Sequence, residues 1–325
     1  MEAFDLFMAK YKSIRRMTSL DQLNDLMKAL DDGVLENAKA EIEEYIEHRM
    51  IEISPPITGE TAACALPLIK GYNVGKMLGE GAMGKVYQLT DAKSGTVSDR
   101  LLKVAHLENS NDKEVLDEAK LATVAGELKI GPQVYGYTGC KVNRRRYTHV
   151  SHTVMQKLSG PELYNVYPYK GVHIEATLTQ YYNLFVQTGI LQNDLKGDNV
   201  MFDGDQLYLI DFGIAYVVKD KEKWFPERLG EHMKLAAQTL LDGLTIGSMG
   251  YIGRNVPWKN DTLSGRTRVW LELKDAAEKW LHNTFPALKL TPLENINGIG
   301  GLDSTVPEVI AYKALKPKPP VKVAT

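Results

Sequence analysis

The apolar positions change period along the chain, and the changes outline its parts. Ser19 stands before Leu20, Leu23, Leu26, Met27 and Leu30, which share one helical face, and Ser19 with Gln22 has the spacing of a capping box. Gly33 interrupts. Leu35, Ala38, Ile42, Tyr45 and Ile46 then form a second amphipathic run, with Glu41, Glu43, Glu44 and Glu47 mostly on the wet side. A helical pair is the expected result, and such a pair is more often a packing appendage than a catalytic element. Ser54-Pro55-Pro56 breaks helix and marks a boundary. From Tyr72 the pattern shifts to short β-rich segments, then one long helix, then strands through Leu158. Beyond Pro161 helix dominates, apart from a tight hairpin at Asp203-Gly204. The run from Lys316 to Val321 is rich in Pro and Lys and reads as unordered tail. A β-rich half followed by an α-rich half predicts two lobes with a cleft between them. The expected organisation is a helical extension at 1–55, one lobe at 72–157, a second at 158–285 and a tail at 286–325.

Composition narrows the function classes. The 325 residues are 44% hydrophobic and 25% charged, ordinary values for a soluble globular protein, and the net charge of −2 gives no electrostatic case for nucleic-acid binding. No window reads as a signal peptide or a membrane span, so the expected location is cytoplasmic; a protein delivered into or expressed in a host cell would read the same. The two cysteines, Cys64 and Cys140, lack CxxC spacing and are expected as reduced thiols. The seven histidines show no metal-ligand spacing. Arg144-Arg145-Arg146 reads as a solvated hairpin tip, and the group Tyr164, Tyr167, Tyr169, Tyr181 and Tyr182 as helix packing.

Three segments carry chemistry. Gly79-Glu80-Gly81-Ala82-Met83-Gly84-Lys85-Val86 runs on into the strand-like Tyr87-Gln88-Leu89. Glycines between two strands, rather than between strand and helix, make a hairpin whose backbone can lie close over phosphates. In Arg100-Leu101-Leu102-Lys103-Val104-Ala105 a single lysine sits in an apolar strand, which suits a charge held against a polyphosphate and a carboxylate partner. That partner is expected from the helix between Lys113 and Glu127: Glu118 first, with Glu114 one turn earlier as the substitute. Lastly, Gln192-Asn193-Asp194-Leu195-Lys196-Gly197-Asp198-Asn199 is followed by a hairpin and then Asp211-Phe212-Gly213. Phosphoryl transfer needs phosphates neutralised, metals held and a hydroxyl aimed in line. Asp211 and Asn199 offer hard oxygen ligands for Mg2+, Asp194 can orient the hydroxyl or take its proton, and Lys196 can offset charge on the transferring group.

In order and spacing these blocks resemble the protein-kinase signature set. Gly79, Gly81, Gly84 and Val86 resemble the glycine-rich loop, Lys103 and Glu118 the strand lysine and its helix partner. Asp194, Lys196 and Asn199 resemble the catalytic loop, and Asp211-Phe212-Gly213 the metal-binding motif. Thr153 to Leu158 is similar to the hinge, which implies Met155 as gatekeeper and the backbone of Gln156 and Leu158 facing adenine. The resemblance covers roughly Tyr72 to Val218. It implies an α+β, bilobal protein-kinase-like fold with a β-rich N-lobe and an α-rich, reduced C-lobe. It also implies ATP as substrate, Mg2+ as cofactor, protein hydroxyls as acceptors with autophosphorylation among the outcomes, and, from the lysine after Asp194, the serine/threonine form of the loop.

The chain departs from the family at three points. Gln192-Asn193 replaces the usual His-Arg, and asparagine cannot make arginine's bidentate contact with a phosphorylated activation loop. Activity independent of loop phosphorylation is therefore expected. Leu101 stands where the family has a small residue and would narrow the adenine pocket. Nothing after Gly213 matches the motif that closes the activation segment, with only a faint echo at Gly247 to Tyr251. This shortening is similar to reduced kinases of the RIO type and to certain bacterial-effector and viral kinases. The alternatives are a pseudokinase scaffold, which would be expected to lack one or more of Lys103, Asp194, Asn199 and Asp211, and a small-molecule kinase of the aminoglycoside or choline type. The N-terminal helices or the C-terminal tail are further expected to dock on a lobe and set the position of the Glu118 helix.

Overall fold

The computed structural model describes residues 14, 16–31, 42–43, 45–46, 49–50, 55–81, 84–108, 114–142, 147–245 and 263–293. The chain divides into two compact units, residues 1–117 with 135–155 and residues 118–134 with 156–325.

The first unit opens with helix α1 (Leu20–Asp31), whose start is capped by Ser19 Oγ accepting the Asp21 N–H at 3.2 Å. Leu23 from α1 meets Ile42, Ile46 and Met50 from the second amphipathic run, together with Ile14, in a small core of their own. This is the face-to-face pair that the hydrophobic period predicts. A short helix α2 (Gly59–Ala65) leads to a five-stranded antiparallel-rich sheet of order β1-β2-β3-β5-β4: β1 (Tyr72–Gly81), β2 (Gly84–Asp91), β3 (Val97–Leu107), β4 (Val134–Lys141) and β5 (His149–Gln156). Leu89, Leu102, Val104, Val142, Val150 and Val154 point to one face and close over Ile69. Burying one such side chain stabilises the fold by roughly 1.5–3 kcal/mol. Gly84 is required by packing, since a Cβ there would collide with the Val104 carbonyl across the β2–β3 pair.

In the second unit, α3 (Asp117–Glu127) is followed later in the chain by α4 (Gly171–Thr188), α5 (Glu227–Thr245) and α6 (Leu263–Thr284). Gly189, at φ 78°, ends α4 by donating its N–H to Phe185 O at 2.7 Å, a left-handed cap that only glycine takes without strain. α6 packs on both α4 and α5. Trp280 Nε1 donates to Thr179 Oγ1 on α4, and buried Trp270 Nε1 donates to Asp242 Oδ1 on α5, each at 2.9 Å. Between α4 and α5 lie the two-residue β6 (Ile190–Leu191), the hairpin β7 (Val200–Asp203) and β8 (Gln206–Leu209), and β9 (Tyr216–Val217), which pairs with β6. The hairpin turns at Gly204, where the sequence places it.

Two expectations are corrected. Cys64 and Cys140 are not separate thiols: they are bonded as a disulfide, their Cα atoms 6.1 Å apart, within the range that a bridge requires. Sequence separation hid the pair, because α2 and β4 meet only in the folded unit. Glu114 does not share a helical face with Glu118, since residues Glu114–Leu116 form a separate 3-10 turn before α3 begins. Arg144 to Arg146, Gly247 to Tyr251 and the Lys316 to Val321 tail lie outside the described residues. Among the described residues no helix is long and apolar enough to cross a membrane.

Candidate active site

Strand register sets the first group of candidate residues. In β1–β2 Gly79 faces Val86, and in β2–β3 Val86 faces Lys103, so the three residues form one row across the sheet. Because successive side chains alternate faces, burying Leu102 and Val104 in the core turns Lys103 to the opposite face with Val86. Leu101 shares that face, opposite Gln88. A Cβ at Gly79 or Gly81 would meet nothing within 4 Å, so packing does not explain those two glycines. Gly84 differs, being demanded by its neighbour strand.

The hinge-like stretch ends β5. Met155 and Gln156 are half-buried and Leu158 is buried. Gln156 donates its N–H to Gln133 O at 2.8 Å, and its Oε1 accepts the Gln133 N–H at 3.2 Å, which fixes the strand's exit. Glu118 lies in the first turn of α3, in the second unit, while Lys103 belongs to the first.

The second group of candidate residues is a hydrogen-bonded knot within the second unit. Asp194 is its centre. Lys196 Nζ donates to Asp194 Oδ2 at 2.7 Å, and Asn199 Nδ2 donates to the same oxygen at 2.7 Å and to the Asp194 backbone carbonyl at 2.9 Å. Two donors on one carboxylate oxygen fix the side chain and partly offset its charge, while Oδ1 keeps its acceptor capacity. The 3-10 turn Gly197–Asn199 explains the spacing, since it folds Asn199 back over Asp194. The Asn199 carbonyl accepts the Ile210 N–H at 2.9 Å, tying the loop to the residue before Asp211.

Asp211 has φ 61°, the left-handed region, and Gly213 donates its N–H to Asp211 Oδ1 at 3.3 Å. A non-glycine residue is strained there by about 1–2 kcal/mol. Fully buried Gln192 restrains it: Nε2 donates to Ile210 O at 2.8 Å and to Asp211 O at 3.0 Å. The residue read from sequence only as a departure is thus a clamp on the Ile210–Asp211 backbone.

Asn193 also sits at positive φ, 63°, a conformation asparagine tolerates better than most residues. Its N–H donates to Tyr181 Oη at 3.3 Å, and Tyr181 Oη lies 2.9 Å from His232 Nε2. Burial lowers the His232 pKa, which favours the neutral ring, and the tautomer of that ring sets the direction of its bond with the tyrosine hydroxyl. Tyr181 is pushed well above the usual phenol range, first by burial and further by Tyr216 and Asp194, against a lowering from the Asn193 N–H. It stays protonated. Trp224 packs edge-on against His232, and the Arg228 guanidinium covers Trp224 at 4.1 Å.

The structure therefore brings Gly79, Val86 and Lys103 together in one unit, and Asp194, Lys196, Asn199 and Asp211 in the other. Gln192, Tyr181 and His232 were not among the residues that sequence reasoning singled out for the site. The available signal was a fully apolar flank, Ile190-Leu191, leading straight into Gln192, which predicts a buried amide in need of partners.

The protein kinase domain family model matches residues 72–241, just over half of the chain. Among curated proteins, CBL-interacting serine/threonine-protein kinase 16 of Arabidopsis thaliana is 24% identical over 172 residues, covering 50% of this chain and 34% of its own length. CBL-interacting serine/threonine-protein kinase 18 of the same plant is 26% identical over 172 residues, covering 47% of this chain and 29% of its own length. The chain thus spans about a third of the curated relatives it matches. Among solved structures, titin kinase with its flanking domains aligns at a TM-score of 0.41 and 12% identity, over 71% of this chain and 50% of that one. The autoinhibited serine kinase domain of titin aligns at 0.40 and 12%, over 70% and 85%. With the family match running from the first residue of β1 into α5, the chain belongs to the protein kinase domain family.

Proposed function

We propose that the protein is an ATP- and Mg2+-dependent protein kinase of the serine/threonine type, and that its turnover does not require a phosphorylated activation loop. The observation that carries this reading is the knot around Asp194, in which Lys196 and Asn199 converge on one carboxylate oxygen while Asn199 is tied through Ile210 to Asp211. The donor set fits magnesium: the Asp211 carboxylate and the Asn199 amide oxygen are hard ligands on adjoining segments. Bound there, the ion would neutralise phosphate charge.

The chain's own residues account for the rest. Asp194 orients the acceptor hydroxyl and takes its proton as the oxygen bonds to the γ-phosphorus and the bond to the β-phosphate oxygen breaks. Lys196 faces charge on the group in transfer. Gly79, Gly81, Gly84 and Val86 cover the nucleotide, and Lys103, with Glu118 as its helix partner, holds the phosphates. Met155 serves as gatekeeper beside the adenine contacts of Gln156 and Leu158, with Leu101 narrowing that pocket. Independence from loop phosphorylation is supported by Asn193, which has no guanidinium and whose backbone is anchored instead on Tyr181. The absence of a sequence motif closing the activation segment marks this as an atypical member, with its peptide platform built differently.

The test is incubation with labelled ATP and magnesium, with and without a generic basic protein, beside Asp211→Ala and Lys103→Ala. Label on serine or threonine, reduced by roughly 10²–10⁴-fold in both variants, is the expected result. Nucleotide binding with no transfer to any acceptor would instead indicate a scaffold. A phosphosite in the chain whose removal abolished turnover in a folded protein would refute the independence from loop phosphorylation.

A further inference from the structure

Outside the site described above, the first unit holds a second cluster of reactive side chains. Cys64 is half-buried near the end of α2, Cys140 is buried on β4, and His152 is fully buried on β5. The two sulfurs and an imidazole nitrogen lie within 4.8 Å of one another. The sulfurs are bonded across 76 residues of chain. Cys140 Sγ also lies 3.7 Å from the Thr61 carbonyl and 3.7 Å from His152 Nδ1. A disulfide sulfur has no proton to give, so the Thr61 carbonyl is a hydrogen-bond partner only for the reduced thiol. The pocket thus contains the bonding partners of both redox states without rearrangement.

We propose that Cys64 and Cys140 form an exchange-active dithiol/disulfide site, with small thiols and disulfides of the glutathione class as co-reactants and His152 as the group that serves the buried sulfur. Accessibility sets the direction of attack. An incoming thiolate bonds to Cys64 Sγ, the more exposed sulfur; the Cys64–Cys140 bond breaks, and Cys140 leaves with the electron pair. Cys140 then takes a proton and donates it to Thr61 O or His152 Nδ1. A second thiolate attacks the outer sulfur of the mixed disulfide and releases Cys64 as thiolate. One protein disulfide and two small thiols have become one protein dithiol and one small disulfide. In the reverse direction, His152 accepts the Cys140 proton. Burial pulls its pKa down to about 4, with Pro56 acting the other way and His106 adding to the depression, so the ring is neutral and able to accept at physiological pH.

The site is placed to matter for the sheet. α2 leads directly to Ile69, which packs in one cluster with Leu102 and Val104, the two neighbours of Lys103. Gly139, beside Cys140, packs against Val115 and Leu116, in the turn from which the chain continues to Glu118. The bridge therefore ties α2, which leads to that cluster, to β4, and its opening leaves the segment without its covalent tie.

The experiment is equilibration of the full chain in glutathione buffers from fully reduced to fully oxidised, approached from both directions, then quenching with an alkylating agent and intact mass measurement. Two interconverting species differing by two alkyl groups are expected, with the same midpoint from either side and the oxidised form melting several degrees higher. His152→Gln, which keeps a polar group beside Cys140, should slow the interconversion; Cys64→Ser should leave one alkylatable thiol at every ratio and lose the melting difference. Two thiols at every ratio would overturn the proposal, and so would a bridge that survives the most reducing buffer until denaturant is added. A parallel arm adds zinc chloride to the reduced chain. Uptake of one zinc per chain with both cysteines protected from alkylation would reassign the cluster as a metal site, since two thiolates and an imidazole are also zinc ligands.

Discussion

β3 carries Lys103 between Leu102 and Val104, two side chains sealed in the core of the sheet, whereas the loop carrying Asp194 has its place fixed by polar contacts from Gln192, Asn199, Lys196 and Tyr181. Apolar packing is non-directional and shared among many neighbours, so the sheet tolerates variation in detail but loses stability when volume is removed. Hydrogen bonds are directional and individually worth only about 0.5–1.5 kcal/mol, yet each one sets an angle. The sheet around Lys103 is therefore built for strength, and the loop around Asp194 for placement. Substitutions in the two regions should separate accordingly, one set moving the unfolding midpoint and the other moving kcat.

The largest effect belongs to the sheet. Leu102→Ala removes a fully buried side chain from the cluster that also contains Leu89 and Val154, and should cost about 2–5 kcal/mol in chemical denaturation. At temperatures where the variant is still folded, the loss of kcat should be small beside the loss of stability. A destabilisation below about 1 kcal/mol would mean that the sheet is held by something other than its apolar face, and the contrast would fail.

A somewhat smaller effect should come from acid. His152 is buried in the sheet, and its folded pKa of about 4 lies below the ordinary value of 6.5, chiefly through burial. The folded protein keeps the ring neutral while the unfolded chain binds a proton below 6.5. Stability from this group is thus complete above pH 6.5 and declines as pH falls toward 4, by about 3 kcal/mol in all. Unfolding of the oxidised protein measured across that window should show the slope, and His152→Gln should flatten it. His232 shifts in the same direction in the other unit, again through burial, so a residual slope in the variant is expected.

These two regions were also unequally legible in the sequence. Alternation of apolar residues around Lys103 and the glycines at 79, 81 and 84 place the strands, because a period of two and a turn are local signals. Asp194, Lys196, Asn199 and Asp211 are likewise readable, since one 3-10 turn and one hairpin span the whole constellation. What escaped was non-local. Tyr181 and Asn193 are 12 residues apart and Tyr181 and His232 are 51 apart, so no spacing rule connects them. Cys64 and Cys140 are 76 apart and meet only because α2 is carried to β4. Gln192 and Asn193 were visible as departures from the family pattern, but their replacement contacts exist only in the fold.

The smallest expected effect tests the placement side most sharply. Tyr181→Phe keeps the ring, its packing and its stacking on His232 at 5.9 Å, and deletes only the hydroxyl that receives the Asn193 N–H. Asn193 is exposed, so its freed N–H can turn to water and the stability cost should be near 1 kcal/mol. The consequence for the loop is larger than that figure suggests, because the bond fixes the Gln192–Asn193 peptide, one residue ahead of Asp194. Loss of orientation at Asp194, proposed above to aim the acceptor hydroxyl, should lower kcat by roughly tenfold, the equivalent of about 1.4 kcal/mol, with KM for ATP little changed. His232→Gln, which keeps a hydrogen-bonding partner for the tyrosine hydroxyl, should retain more of kcat than His232→Leu. A Tyr181→Phe enzyme with unaltered kcat would show that Gln192, Asn199 and Lys196 suffice to place Asp194. Equal losses in the two His232 variants would assign the ring to packing, and the division between a packed half and an oriented half would then end at Gln192.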